Sequence, residues 1–170
     1  MPPALRSGAV DVAVALCPEL AAEFSYEPIR SEPVVAVLPI GHPHAGDDAL
    51  ALEALHRNDF LMFPRELAPR LHDFLVGLCR RAGFEPRARI GSFHSEWDLQ
   101  TLADAKLVAL APRAVSRDLP DGLTTVVVAD PPDQLQTALI WRTDDSSPIN
   151  RAFRATALET FASAPGAPAS

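Results

Sequence analysis

The stretch EPVVAVLPIGHPHAG, residues 32–46, contains the clearest strand of the sequence and its abrupt end. Residues 34–38 form an unbroken apolar run, which is typical of a strand buried on both faces. The run stops at Pro39, and His42 and His44 then flank a second proline. The stretch predicts a buried strand followed by a break, and it leaves open whether the two histidines bind a metal, act as a base or line a binding site.

The rest of the chain alternates between strand and helix signals. The apolar or β-branched runs that predict strands are 10–16, 24–29, 60–63, 88–90, 107–111, 123–128 and 135–141. The clearest helix follows Pro69, because apolar residues recur at helical spacing as far as Ala82 and Gly83 can close the last turn. Residues 50–55 predict a short helix, and Ser95 opens another with a variant of the capping box.

Ser147 and Pro148 predict the start of a last helix, since serine is a good cap and proline fits the first helical position. Its apolar stripe consists of Ile149, Phe153, Ala157 and Phe161. Alternating strands and helices favour an α/β class with mainly parallel sheets. Breaks at 39–43 and 131–135 predict a lobe inserted into another lobe, with a cleft between them.

Composition limits the classes of function. The 170 residues include 48% hydrophobic residues, and the net charge is −7, so we expect a globular chain that does not itself bind nucleic acid. Cys17 and Cys79 are too few and too far apart for a disulfide framework, which favours free thiols. We find no signal peptide and no apolar run long enough to span a membrane, so we expect a cytoplasmic protein without membrane contact.

Several motifs resemble the effector-binding domain of LysR-type transcriptional regulators. LRSGAVDVAV is similar to the family's "LRSGxxDVAL", and EPVVAVLPIGHPHAG is similar to "EPLVxVLPxxHPLA". FLMFPRELAPRLHDFLVGLCRRAGFEPRAR is similar to "FIxFPRxxxPxLxDxIxxxCxxAGFxPxxx", and LADAKLVALAPRAV is similar to "LVAAGxGVALVPxSV". The order and spacing agree over about residues 4–162.

The resemblance implies a periplasmic-binding-protein-like (type 2) fold, with two Rossmann-like lobes joined by two crossover strands and a small-molecule pocket between them. It implies a partial first lobe at 1–39, a second lobe at 40–132, and a return strand and final helix at 133–163. We expect the remaining residues, 164–170, to be a disordered tail. The family's winged helix-turn-helix and the first βαβ of its first lobe have no counterpart here, so the first lobe is expected to be incomplete.

The same resemblance places His42 and His44 at the "HPLA" position, where they shape a turn. Two histidines two residues apart with no third ligand at matching spacing are a weak zinc signal. We therefore expect no metal, and nothing in the sequence indicates a cofactor.

Candidate ligand-binding residues come from two places in the resemblance. Phe93, His94, Ser95 and Trp97 precede the helix that faces the cleft, and Arg65 follows a strand of the second lobe, where it could reach a carboxylate. Simpler roles remain open: Ser95 could only cap its helix, the aromatic residues could belong to the core, and Arg65 could be a solvated loop residue.

One departure from the family pattern concerns a turn. Ala105 and Leu107 stand where the family has two glycines, with Lys106 between them. Glycine there permits a tight turn with positive φ, which is costly for other residues. We expect either a rebuilt turn or a changed pocket floor.

The resemblance therefore implies an effector-binding domain that senses a small, anionic metabolite, and the variant of the "FPR" motif looks closest to regulators that respond to aromatic acids and related carboxylates. The family implies a homo-oligomer whose dimer interface is incomplete in this chain, and DNA contact only through the absent helix-turn-helix. The alternative is a stand-alone solute-binding module of the periplasmic-binding type. An enzyme is not expected, because no catalytic constellation of acid, base or nucleophile is present.

Overall fold

The computed structural model describes residues 2–18, 21–90, 99–129 and 134–162. The chain divides into unit 1, Met1–Glu32 with Leu135–Ser170, and unit 2, Pro33–Gln134. The described strands are β1 (Val12–Leu16), β2 (Phe24–Glu32), β3 (Val34–Pro39), β4 (Ala49–Leu50), β5 (Asp59–Met62), β6 (Arg87–Ile90), β7 (Ala109–Pro112), β8 (Leu123–Val128) and β9 (Leu135–Arg142). The described helices are α1 (Pro2–Arg6), α2 (Pro69–Arg81), α3 (Leu99–Ala105) and α4 (Pro148–Ala162).

Strand β3 forms the centre of unit 2. It pairs antiparallel with β7 on one edge and antiparallel with β8 on the other, and β4 extends the sheet beyond β8. Its residues from Val34 to Leu38 are at most 2% exposed, as the apolar run predicts. The sequence places the division between lobes after this strand, whereas the structure places it before, because β3 hydrogen-bonds within the sheet of unit 2.

Strands β5 and β6 join the same sheet through Val108. They pair parallel with each other, and Phe60 forms a parallel bridge with Val108, the residue before β7. The N–H of Leu61 donates to the carbonyl of Val108 at 2.8 Å, and the N–H of Val108 donates to the carbonyl of Asp59 at 3.0 Å. The carboxyl ends of β5, β6 and β7 therefore meet at one edge of the sheet.

Unit 1 contains an antiparallel sheet in the order β1-β9-β2. One face is covered by Leu5 of α1, which is buried together with Phe24 and Ile140. Among the described residues β1 pairs only with β9, so it is an edge strand, and its Val14 is 48% exposed.

The prediction of mainly parallel sheets is wrong. The pairings of β1 and β2 with β9, and of β3 with β7 and β8, are antiparallel, and parallel pairing is found for β4 with β8 and β5 with β6. Alternating elements suggested βαβ units, but β3 and β9, the first strands after the chain passes from one unit to the other, run antiparallel to their neighbours. Residues 50–55 also form the end of β4 and a 3₁₀ turn rather than an α-helix.

The apolar stripe predicted for α4 does not face the core throughout. Ile149 is 75% exposed and Phe153 is 57% exposed. The inner face is taken by Arg154, which forms an ion pair with the buried carboxylate of Asp145 and lies 4.8 Å from the ring centroid of Trp141. An ion pair stacked on an aromatic ring thus replaces aliphatic packing here.

Helices α2 and α3 end in the same type of cap. After α2, Gly83 has φ +86°, and the N–H of Phe84 donates to the carbonyl of Cys79. After α3, Lys106 has φ +54°, and the N–H of Leu107 donates to the carbonyl of Leu102 at 3.1 Å. Both are Schellman motifs. The left-handed residue of this turn is Lys106, and Ala105 and Leu107, which stand where the family pattern has glycine, do not have positive φ.

Because a side chain in this conformation is strained by roughly 1 kcal/mol, we expect Lys106→Gly to stabilise unit 2 by about 0.5–1 kcal/mol. Urea unfolding followed by circular dichroism measures this change. The matched control is Gly83→Ala at the corresponding position after α2, which should destabilise by about 1 kcal/mol. A Lys106→Gly variant less stable than the wild type would contradict the strain.

Candidate functional site

The carboxyl ends of β5, β6 and β7 form the candidate site. In open α/β sheets ligands bind beyond these ends, where loops and helix N-termini converge. Phe63, Pro64 and Arg65 follow β5, and Arg113 follows β7. The N–H of Arg113 donates to the carbonyl of Pro33 at 3.1 Å, which fixes the entry of β3 at the same edge.

Arg65 begins a short 3₁₀ turn, Arg65–Leu67, closed by a hydrogen bond from the Leu67 N–H to the carbonyl of Pro64. The guanidinium grips the carboxylate of Asp73 on α2 with two bonds, Nε to Oδ1 at 2.7 Å and Nη2 to Oδ2 at 2.6 Å. Such a fork is the strongest geometry by which arginine holds a carboxylate. Arg65 thus binds a carboxylate of the protein itself at this edge of the sheet, and its predicted contact with a ligand carboxylate remains a prediction.

Asp73 and His72 complete the cluster. The hydrogen bonds from Arg65 hold the pKa of Asp73 at about 2, well below its usual value of 3.8, so the carboxylate is ionised at neutral pH. His72 lies beside it, with Nδ1 3.6 Å from Oδ1 of Asp73 and the ring edge-on to Phe63 at 5.9 Å between centroids. Nδ1 is buried and has no hydrogen-bond partner in the described part of the chain.

The start of α2 lies beside this cluster, because the helix follows β5 after a short connection. Pro69 occupies the first turn, and Ala68 at the cap position makes no side-chain hydrogen bond to the helix. A helix end without a side-chain cap favours nearby anions through its N–H groups and dipole. The local field therefore supports a negative charge near Arg65.

Sequence reasoning missed His72 and Asp73 as site residues. The signal was present, because the quoted "FPRxxxPxLxD" pattern contains both the arginine and the aspartate. Their pairing is a contact between the turn after β5 and the first turns of α2, which spacing alone does not reveal.

The other four predicted residues, Phe93, His94, Ser95 and Trp97, lie outside the described residues. In sequence they follow β6, which ends at Ile90, and precede α3, which begins at Leu99 and is anchored by the buried Leu102. Their roles remain predictions.

His42 and His44 form a turn, as predicted. The N–H of His42 donates to the carbonyl of Pro39, and the N–H of His44 donates to Nδ1 of His42 at 3.2 Å. The amide of Asn58 lies 3.0 Å from Nε2 of His42, and Nδ1 of His44 lies 2.8 Å from the Asp47 carboxylate. Within the described ranges, no three His, Cys, Asp or Glu side chains are grouped so that they could hold a metal ion.

The cysteines show no nucleophile in the described part of the chain. Cys79 is 1% exposed within α2, and burial raises the pKa of its thiol to about 12. A thiol at that pKa is protonated at neutral pH and unreactive. Cys17 follows the edge strand β1 and is not part of a disulfide in the described residues.

Residues 1–162 match the model of a family described as "LysR substrate binding domain". The chain belongs to the LysR substrate-binding domain family. The resemblance seen in the sequence and the expected fold class are therefore confirmed.

Relatives of this LysR domain are transcriptional regulators by name. The chain is 30% identical over 149 residues to "HTH-type transcriptional regulator IlvR" of Caulobacter vibrioides, covering 86% of this chain and 49% of that protein. It is 31% identical over 153 residues to "HTH-type transcriptional regulator BudR" of Raoultella terrigena, covering 88% and 52%. The chain thus spans about half the length of these curated relatives. Their names agree with the expectation that the chain is not an enzyme.

A solved structure shows the same fold. The effector-binding domain of a BenM variant superposes with a TM-score of 0.81 and 17% identity, covering 99% of this chain and 80% of that one. In the described residues of the LysR domain, no helix is long and apolar enough to cross a membrane.

The turn at His42 leads to a prediction about how the stability of the fold depends on pH. Burial lowers the pKa of His42 below its usual 6.5; the Asn58 contact opposes this, and the charge of His44 adds to it. The unfolded chain therefore takes up the proton more readily, so the stability due to neutral His42 is complete above about pH 6.5 and is lost as pH falls below it.

We expect His42→Asn, which keeps an oxygen to accept the His44 N–H, to reduce the loss of stability between pH 7.5 and 5.5. Urea unfolding at the two pH values measures the difference. Equal losses in the variant and the wild type would show that His42 does not contribute.

Proposed function

We propose that this chain is the effector-binding part of a LysR-type transcriptional regulator, and that it binds a small organic acid at the carboxyl edge of unit 2. The observation that carries the proposal is the pair of hydrogen bonds by which Arg65 binds the carboxylate of Asp73 at this edge. Family membership supports an effector, and the arginine fork supports the chemical class of that effector.

The local charges favour an acid over a neutral ligand. The guanidinium of Arg65 offers two donors shaped for a carboxylate, although Asp73 matches its charge in this structure, and the adjoining end of α2 adds its dipole. The aromatic ring of Phe63 lies one residue before Pro64, at the end of the same strand, although it is only 7% exposed. Phe93, His94, Ser95 and Trp97 are proposed to line the remaining part of the pocket, and aromatic acids are the proposed class.

The proposal also covers DNA binding, oligomerisation and cellular location. DNA contact in the whole regulator is proposed to be made by a helix-turn-helix outside these residues, since the relatives are named for one. We propose that the regulator acts as an oligomer in the cytoplasm.

The proposal predicts that small carboxylates stabilise the chain. An acid at ten times its Kd should add about 1.4 kcal/mol, which corresponds to a rise in Tm of roughly 3–5 °C for a chain of this size. Thermal unfolding with benzoate, salicylate, butyrate and succinate at millimolar concentrations measures the shift. Benzamide and butyramide, which have the same shapes without the charge, should have no effect.

Two matched variants test whether the stabilisation by acids depends on Arg65. Arg65→Ala should weaken the acid by about 1.5–3 kcal/mol, because it removes a charge-assisted bond. Arg80→Ala removes a similar fork, between Arg80 and Glu85 at the other end of α2, and should leave the shift intact. No shift with any acid, or an equal shift in Arg65→Ala, would contradict the proposal.

A further inference from the structure

The guanidinium that we assign to the ligand is held by an internal carboxylate. The side chains of Arg65 and Asp73 are 58% and 53% exposed, so solvent and solutes reach the pair. A ligand carboxylate can therefore form the same fork only by replacing that of Asp73.

A comparison with the other end of α2 shows what is unusual. Arg80 and Glu85 also form a two-bond fork, at 2.8 and 2.9 Å, with exposures of 65% and 63%. Pairs of this kind are common on protein surfaces and contribute little. At Asp73, however, a second hydrogen-bonding group is present beside the carboxylate.

That second group is Nδ1 of His72. It is buried, it makes no hydrogen bond to the residues that the structure describes, and it lies 3.6 Å from Oδ1 of Asp73, beyond hydrogen-bond distance. Buried polar atoms in folded proteins are nearly always satisfied, so an unsatisfied one suggests a partner in another state. The ring of His72 packs edge-on against Phe63 and its side chain is 17% exposed, whereas that of Asp73 is 53% exposed, so we assign the movement to Asp73.

We propose that Asp73 is an internal competitor for the acid: its carboxylate fills the Arg65 fork in the acid-free domain and moves to Nδ1 of His72 when a ligand carboxylate takes the fork. The inference rests on the proposed function, because it requires that Arg65 holds the ligand. Asp73 is then a residue that sets affinity and selects for carboxylates.

The exchange keeps the Arg65 guanidinium paired with a carboxylate and adds one hydrogen bond, while the ligand brings one further negative charge. Asp73 is ionised in the acid-free state, because the hydrogen bonds from Arg65 lower its pKa to about 2. In the second state it accepts a hydrogen bond from Nδ1–H of His72, a tautomer that neutral histidine can adopt. The guanidinium keeps one bidentate carboxylate throughout, and the only new bond is the one that satisfies His72.

The exchange also selects among ligands. A neutral molecule cannot replace a bidentate carboxylate on a guanidinium, whereas an acid can. The Asp73 carboxylate is held near Arg65 at a high effective concentration. An acid must therefore make further contacts with the protein to bind Arg65 more favourably than Asp73 does.

Asp73→Asn tests the competition in the whole chain. It keeps the shape of the side chain and removes the charge. With acetate as the probe, NMR titration of the Arg65 Nε–H should show binding at least tenfold tighter in Asp73→Asn than in the wild type. Glu85→Gln, which frees Arg80 in the same way, should leave acetate binding at Arg65 at its wild-type value.

His72→Phe tests the second position of Asp73, since phenylalanine keeps the packing against Phe63 and removes Nδ1. It should weaken acetate binding severalfold in the wild-type background and have no effect in Asp73→Asn, where no carboxylate needs a new partner. Equal weakening in both backgrounds would show that His72 does not act through Asp73, and would overturn the inference.

The outcomes separate this inference from the proposed function. If no organic acid stabilises the wild type but acetate binds Arg65 tenfold more tightly in Asp73→Asn, the proposed effector class fails and the competition stands. If acids stabilise the wild type through Arg65 but Asp73→Asn leaves their affinity unchanged, the function stands and the competition is overturned. Failure of acetate to bind Arg65 in Asp73→Asn also overturns it.

Discussion

The burial of β3 is the constraint on which unit 2 depends. Its residues Val34 to Leu38 are at most 2% exposed, and both edges are paired, so the strand cannot be removed without opening the sheet. It enters from unit 1 and runs against β7 and β8. This direction brings Pro33 to the edge where β5, β6 and β7 end, and the bond between Pro33 and Arg113 fixes the corner.

The chemistry of the site follows from this arrangement. Parallel strands on one side of the antiparallel β3 direct three chain ends to the same edge, and α2 begins there. Arg65 projects from the turn between β5 and α2, where its charge is matched by Asp73. A site whose arginine is already satisfied is stable without a ligand, and it can respond to an acid by exchanging one carboxylate for another.

Local patterns predicted the elements that depend on local physics. The helical spacing of α2, its glycine cap and the strand β8 all agree with the sequence. The direction of the strands was predicted wrongly, because an apolar run marks a strand but does not indicate whether it runs parallel or antiparallel to its neighbours. The sequence pattern did not predict that Arg154 pairs with Asp145 while Phe153 is exposed, because that pair joins the helix to the turn before it. The left-handed conformation of Lys106 depends on the cap of α3, which no single residue encodes. Arg65 was predicted from the family motif, but its partner required the fold.

Locating the binding site of an acid along the whole chain tests the central claim most directly. In an NMR titration with benzoate, the account predicts that the largest changes in chemical shift fall on residues 63–73, including the Arg65 Nε–H, and on Arg113. Changes confined to unit 1, for example around Arg6 and Arg142, would contradict it, as would the absence of any change at Arg65 while the acid raises Tm.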